Sequence, residues 1–140
     1  MNKTICVFIV FLTFIIQIHA QSLTENEIIG KWTVSQINVL MKLPDDQKKM
    51  IEIMKEAILR SKFEFKSDNT FEFEFELEKM RIQNGHWKYN DITKSFIIQA
   101  WDNKDTNDWK LMEIFTRREG NKIIFQIREL FVDLVMNKEF

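Results

Sequence analysis

Beyond residue 20 this sequence holds one histidine, His86, and no cysteine; Cys6 and His19 both lie in the first twenty residues. A general base or a metal ligand works with partners close at hand. No His-x-Glu, paired-His or Cys cluster accompanies His86, so zinc chemistry is not expected, and neither catalytic residue, metal ligand nor cofactor is assigned. A glycine-rich phosphate loop and a nucleophile elbow are also missing from the sequence. Two acidic sets remain. Glu72, Glu74, Glu76 and Glu78 have the spacing of a cation ladder, but alternate positions of one strand read more simply as a solvated outer face. Asp102, Asp105 and Asp108 lack the glycine and terminal glutamate of an EF-hand loop and read as a hydrated turn. The net charge of −1 carries no basic excess toward nucleic acid. A non-enzymatic protein is therefore expected.

What the chain offers instead is apolar surface at regular spacing. From Lys62 to Glu78, Phe63 and Phe65 alternate with charged residues. Ser67-Asp68-Asn69 makes a turn, and then Phe71, Phe73, Phe75 and Leu77 alternate with four glutamates. A period of two puts every Phe on one face and every Glu on the other, which no helix can do. This is an antiparallel hairpin whose oily face must be covered.

The remaining elements read as that cover. Thr24 caps a single turn with Glu25 and Glu27 at its positive end. Gly30 to about Leu40 is a strand, with Trp32, Val34 and Gln36 on one face. Pro44–Arg60 is the one long helix, with Pro44 at its first position and a stripe of Met50, Ile51, Met54, Ala57 and Ile58. Met80–Asn90 alternates with a slip near Asn84-Gly85, explained by a bulge at Gly85 or by a turn between two pieces. Lys94–Trp101 and Trp109–Arg118 are strands. Glu119-Gly120-Asn121 closes a hairpin onto Lys122–Ile127. Arg128–Phe140 suits helix or strand, and a strand is preferred because so apolar a sheet needs its edge closed. The fold class is mainly β: an up-and-down antiparallel barrel of about eight strands, with one long helix between the first two.

The first twenty residues are a separate unit. Lys3 precedes an apolar run from Ile5 to Ile16, and Ile18-His19-Ala20 is followed by Gln21-Ser22. This is the pattern of a secretory signal peptide cut after Ala20. The rival, an uncleaved anchor, would need about 20 apolar residues, more than the run supplies. Cleavage removes the only cysteine, so the mature chain, residues 21–140, can carry no disulfide although it enters an oxidising compartment. An exported protein, periplasmic or secreted, without a stable membrane anchor is expected.

The opening Ile28-Ile29-Gly30-Lys31-Trp32, together with Lys66-Ser67-Asp68-Asn69-Thr70-Phe71 and Gly85-His86-Trp87-Lys88-Tyr89, resembles the short exported bacterial lipocalin-like proteins. The resemblance covers about Ile28 to Asn137. It implies that Gly30 and Trp32 form the plug of the closed barrel end, with Arg128 as a candidate cation over the tryptophan. The long helix departs from ordinary lipocalins and resembles the helical lid of fatty-acid-binding proteins.

Two functions are open on this reading. A hollow barrel would bind a small hydrophobic, lipid-like ligand between Phe63, Phe65, Phe71, Phe73, Phe75, Trp87, Phe96 and Ile98, with the adaptable Met50 and Met54 contributed by the helix. A filled barrel would act through its surface as an inhibitor or assembly partner, by way of Trp101, Trp109 or the methionine stripe.

Overall fold

The computed structural model describes residues 21–42, 44–75, 80–106 and 109–140. The segment expected to be a signal peptide, Glu76 to Glu78 of the acidic ladder, and Asp108 lie outside these. A short helix α1 (Glu25–Ile28) leads into β1 (Gly30–Val39). A 3-10 turn (Asp45–Gln47) and helix α2 (Lys48–Leu59) follow, and then β2 (Lys62–Phe65), β3 (Thr70–Phe75), β4 (Met80–Asn90), β5 (Ser95–Ala100), β6 (Lys110–Glu119), β7 (Lys122–Ile127) and β8 (Val132–Glu139). Each strand pairs with the next and β8 pairs with β1, so the sheet is a closed antiparallel barrel. Closure leaves no edge strand, and it settles the C-terminal segment as strand.

Alternation decides which side chains go in. Phe63 pairs with Phe73 and Phe65 with Phe71 across the β2–β3 hairpin. The turn between them is closed by Asn69 N–H to the Lys66 carbonyl at 3.0 Å, with Asn69 at a positive φ of 66° that asparagine tolerates. On the outer face, Glu72 accepts from Lys66 at 2.6 Å and Glu74 from Arg81 at 2.8 Å. These pairings relieve the repulsion along the glutamate row.

Three sequence expectations are corrected. In β1 the register shifts between Val34 and Gln36, so Gln36 is exposed and Ile37 and Val39 pack on the core. Pro44 is not the first residue of the long helix. It stands in extended backbone (ψ 152°) ahead of the 3-10 turn, its carbonyl accepting from Gln47, and α2 begins at Lys48. Trp101 belongs to a 3-10 turn (Trp101–Asn103) rather than to β5.

The slip in β4 is a bulge within one continuous strand. Phe71 pairs with Gly85 but Phe73 pairs with Ile82, and the residue at positive φ is Asn84, at 54°. Gly85 is held to glycine by space: a Cβ there would lie 2.9 Å from Ile82 Cγ2 and 3.0 Å from the Phe71 carbonyl oxygen.

The barrel has two unlike ends. One end gathers α1, the β2–β3 turn and the β6–β7 turn. The other gathers the α2 crossover and the connections after β5 and β7. Among the described residues no helix is long and apolar enough to cross a membrane.

Candidate functional site

The first end is sealed by Trp32. Its ring is buried, its Nε1–H donates to the Ile28 carbonyl at 2.7 Å, and it packs against Phe125 at 5.1 Å between centroids. Thr24 and Glu27 cap α1 reciprocally, with Glu27 N–H donating to Thr24 Oγ1 and Thr24 N–H to Glu27 Oε2. This sets α1 across the opening, with Ile28 and Leu23 fully buried. The cation over the plug is Lys138, whose Nζ lies 5.2 Å from the Trp32 centroid. Arg128 is not there; its guanidinium lies 4.0 Å above the Phe115 ring. A strand register explains the exchange. Trp32 and Lys138 are direct neighbours across β1 and β8, whereas Arg128 falls in the 3-10 turn between β7 and β8.

Above the plug the barrel is solid. Phe65 touches Phe71, Trp87, Phe96 and Phe125, the first at 4.9 Å and the others near 6 Å, all edge-on. Such edge-to-face contacts add about 0.5–1.5 kcal/mol each to the burial itself. Trp87 is committed to structure, its Nε1–H donating to the Lys66 carbonyl at 2.9 Å. Phe65, Phe71, Trp87, Phe96 and Ile98, all expected at a ligand, instead pack in this filled half and are absent from the wall of the cavity in the other half.

The other half is hollow. A cavity of about 560 Å³ is walled by Met54 and Ile58 of α2, Phe63, Phe73, Phe75 and Ile82, and Leu111, Met112, Ile127, Leu130 and Leu134. Phe63 packs on Phe73 at 4.7 Å, and Phe73 stacks on Phe75 at 6.0 Å. Of the residues expected to meet a ligand, Phe63, Phe73, Phe75 and Met54 line this cavity. Met50 does not: it lies on the outer side of α2 and is 68% exposed. Sequence reasoning missed Ile58, Ile82 and the β6–β8 contribution. Ile58 lies on the helical stripe that the sequence pattern predicts. The others carried no signal beyond strand alternation.

Two charged side chains border the cavity, Arg81 and Glu129. Arg81 is paired with Glu74. Glu129 accepts from the Glu113 backbone N–H at 3.3 Å and lies 4.0 Å from Lys110. Glu113 itself is held by Lys110 at 2.6 Å and by the Ser95 hydroxyl at 2.7 Å. Burial pushes its pKa up, but these two hydrogen bonds outweigh that and hold it below the ordinary carboxylate value. Around the opening, Leu40, Met41, Met50, Ile53, Leu59, Trp109, Leu111, Leu130 and Phe131 are exposed.

His86 lies on the outside of β4, its ring 5.5 Å from Trp101. Its Nδ1 is buried without a hydrogen-bond partner. Burial, then Lys88 and Lys104, hold its pKa below 6.5. Among the described residues no three His, Cys, Asp or Glu side chains converge as metal ligands.

No family model matches the chain, and neither does any curated protein. Among solved structures, a DUF4847 family protein from Bacteroides vulgatus ATCC 8482 is similar at 13% identity, covering 81% of this chain and 96% of that one, with a TM-score of 0.44.

Proposed function

We propose that this chain is an exported, non-enzymatic, lipocalin-like carrier, cut near Ala20, that takes a small hydrophobic ligand into the open half of the barrel. The observation that supports this reading is the cavity under α2. Its volume falls within the ~300–1,000 Å³ of small-molecule sites, and eleven apolar side chains wall it against two charged ones. The apolar body of the ligand lies among Phe63, Phe73, Phe75 and Leu134. Its polar end sits at the border, near Arg81 and Glu129. Each buried CH₂ contributes about 0.8 kcal/mol, so a lipid-like chain gains affinity from length alone. Helix α2 acts as lid, with Met54 and Ile58 turned to the ligand.

The test is native mass spectrometry of protein purified from its exporting host, followed by extraction into organic solvent and titration with a fluorescent fatty acid. A bound mass that leaves with the solvent, and saturable uptake of the fluorophore, are expected. An apo mass without uptake sinks the carrier reading.

A second reading draws on the exposed apolar side chains around the opening. A cluster of this kind also suits a protein partner. In that case the protein acts as an inhibitor or assembly module, and a specific partner is recovered with apo protein.

A further inference from the structure

Gln21 is tied to the barrel through its backbone. Its carbonyl oxygen accepts from the Arg118 backbone N–H at 3.1 Å. Two residues on, Leu23 N–H donates to Thr116 Oγ1 at 2.9 Å, and the Leu23 side chain is buried. A cut one residue later would remove the partner of Arg118. A chain cut after Ala20, where the sequence pattern places cleavage, keeps this bond.

Cleavage there makes Gln21 the N-terminal residue, with a free α-amine and its own carboxamide within reach. The Gln21 residue is exposed, so the side chain can fold back onto the amine. We propose that Gln21 is cyclised to pyroglutamate in the exported protein. The proposal rests on the export reading given above. The α-nitrogen attacks the side-chain carbonyl carbon Cδ. An N–Cδ bond forms, the Cδ–Nε2 bond breaks, and Nε2 leaves as ammonia, taking a proton from the amine. The step needs no oxidant and no co-reactant.

The surroundings accommodate the product. The Gln21 carbonyl is not consumed, so its bond to Arg118 survives. The same barrel end already holds two cations around Glu27: the Arg118 guanidinium, 2.7 Å from Glu27 Oε1, and Lys138 Nζ, 2.8 Å from the Glu27 carbonyl. Arg118 is neutralised by the Glu27 carboxylate, and lactam formation removes the additional α-ammonium charge that cleavage creates at Gln21. Cyclisation also removes the free amine on which an aminopeptidase acts, and so protects Leu23 and the α1 plug from being trimmed back.

The test uses the full-length precursor, exported by its native host. Freshly collected mature protein is weighed intact, alongside a Gln21→Ala variant, and its N-terminus is sequenced before and after treatment with pyroglutamyl aminopeptidase. The expected product starts at residue 21, is lighter than encoded by one ammonia, and is blocked to sequencing until the enzyme is added. Gln21→Ala starts at the same residue with its encoded mass. A product that begins with unmodified Gln21 overturns the cyclisation and leaves the export reading standing. A retained leader, or a start at another residue, overturns both.

Discussion

Lys138 and Trp32 face each other across the β1–β8 pair, ammonium to ring, at 5.2 Å. The ammonium also donates to the Glu27 carbonyl at 2.8 Å. One lysine thus ties the last strand, the plug tryptophan and the helix that covers it. Burial lowers its pKa, a cost offset by the hydrogen bond and the ring. Trp32→Ala is expected to lose about 3–5 kcal/mol. Lys138→Met keeps the stem and loses only the charge and its bond, and is expected to cost about 1 kcal/mol. Urea unfolding followed by circular dichroism reads both. Equal losses in the two variants would contradict this division.

Gly30 lies beneath the same lysine at φ 135°, a conformation that only glycine adopts readily. A Cβ there would come within 2.6 Å of Lys138 Cε. The lysine end can move, but the backbone cannot. Gly30→Ala is expected to lower stability by about 1–3 kcal/mol, and combining it with Lys138→Ala should rescue little of the loss. Full rescue in the double variant would show that crowding, not backbone strain, is what excludes alanine.

The solid and hollow halves of the barrel predict opposite phenotypes. Phe96→Ala removes a ring packed on Phe65, Trp87 and Tyr89, and is expected to cost about 3–5 kcal/mol. Ile82→Trp extends a side chain into the cavity. It is expected to abolish fatty-acid uptake while the melting temperature stays within a few degrees of wild type. Uptake unaffected by Ile82→Trp would place the ligand elsewhere.

On α2 the two methionines should separate. Met54 lines the cavity and Met50 faces solvent. Met54→Ala is expected to weaken ligand binding several-fold, with the loss scaling at about 0.8 kcal/mol per CH₂ removed from contact. Met50→Ala is expected to leave it unchanged. Titration of the fluorophore into each variant gives the ratio, and equal weakening would argue against α2 as the cavity wall.

Acid should weaken the fold in two steps. His86 is held below its ordinary pKa by burial, then by Lys88 and Lys104. The unfolded chain therefore binds this proton first, and stability falls as pH drops below roughly 6.5. Glu27, held low by the Thr24 N–H first, and Glu113, held low by Lys110 and Ser95 against its burial, are also below their ordinary values. Their contribution is intact at neutral pH and is lost as pH falls from roughly 4.3 through their folded values. Melting temperature against pH should show both limbs. His86→Gln should flatten the upper limb and Glu27→Gln should shrink the lower one.

The sequence by itself determined what local chemistry determines. The Phe and Glu alternation of residues 62–75 set the hairpin and its inner face. Ser67-Asp68-Asn69 set its turn, and Thr24 with Glu27 set the cap of α1. The closed, mainly β barrel with a helix between its first two strands was legible because each of these signals repeats within a few residues. The tertiary structure alone decided the rest. Trp32 takes Lys138 rather than Arg128 because the partner follows from the β1–β8 register, a pairing more than a hundred residues apart in sequence. The shift in β1 turned Ile37 inward against simple alternation. Whether a given Phe packs or lines a cavity depends on its height in the barrel, which periodicity does not encode. Phe65 and Phe73 read alike in the sequence; closure put one in the filled half and the other in the wall of the cavity, because the large aromatic side chains meet near the plug and leave space beneath α2.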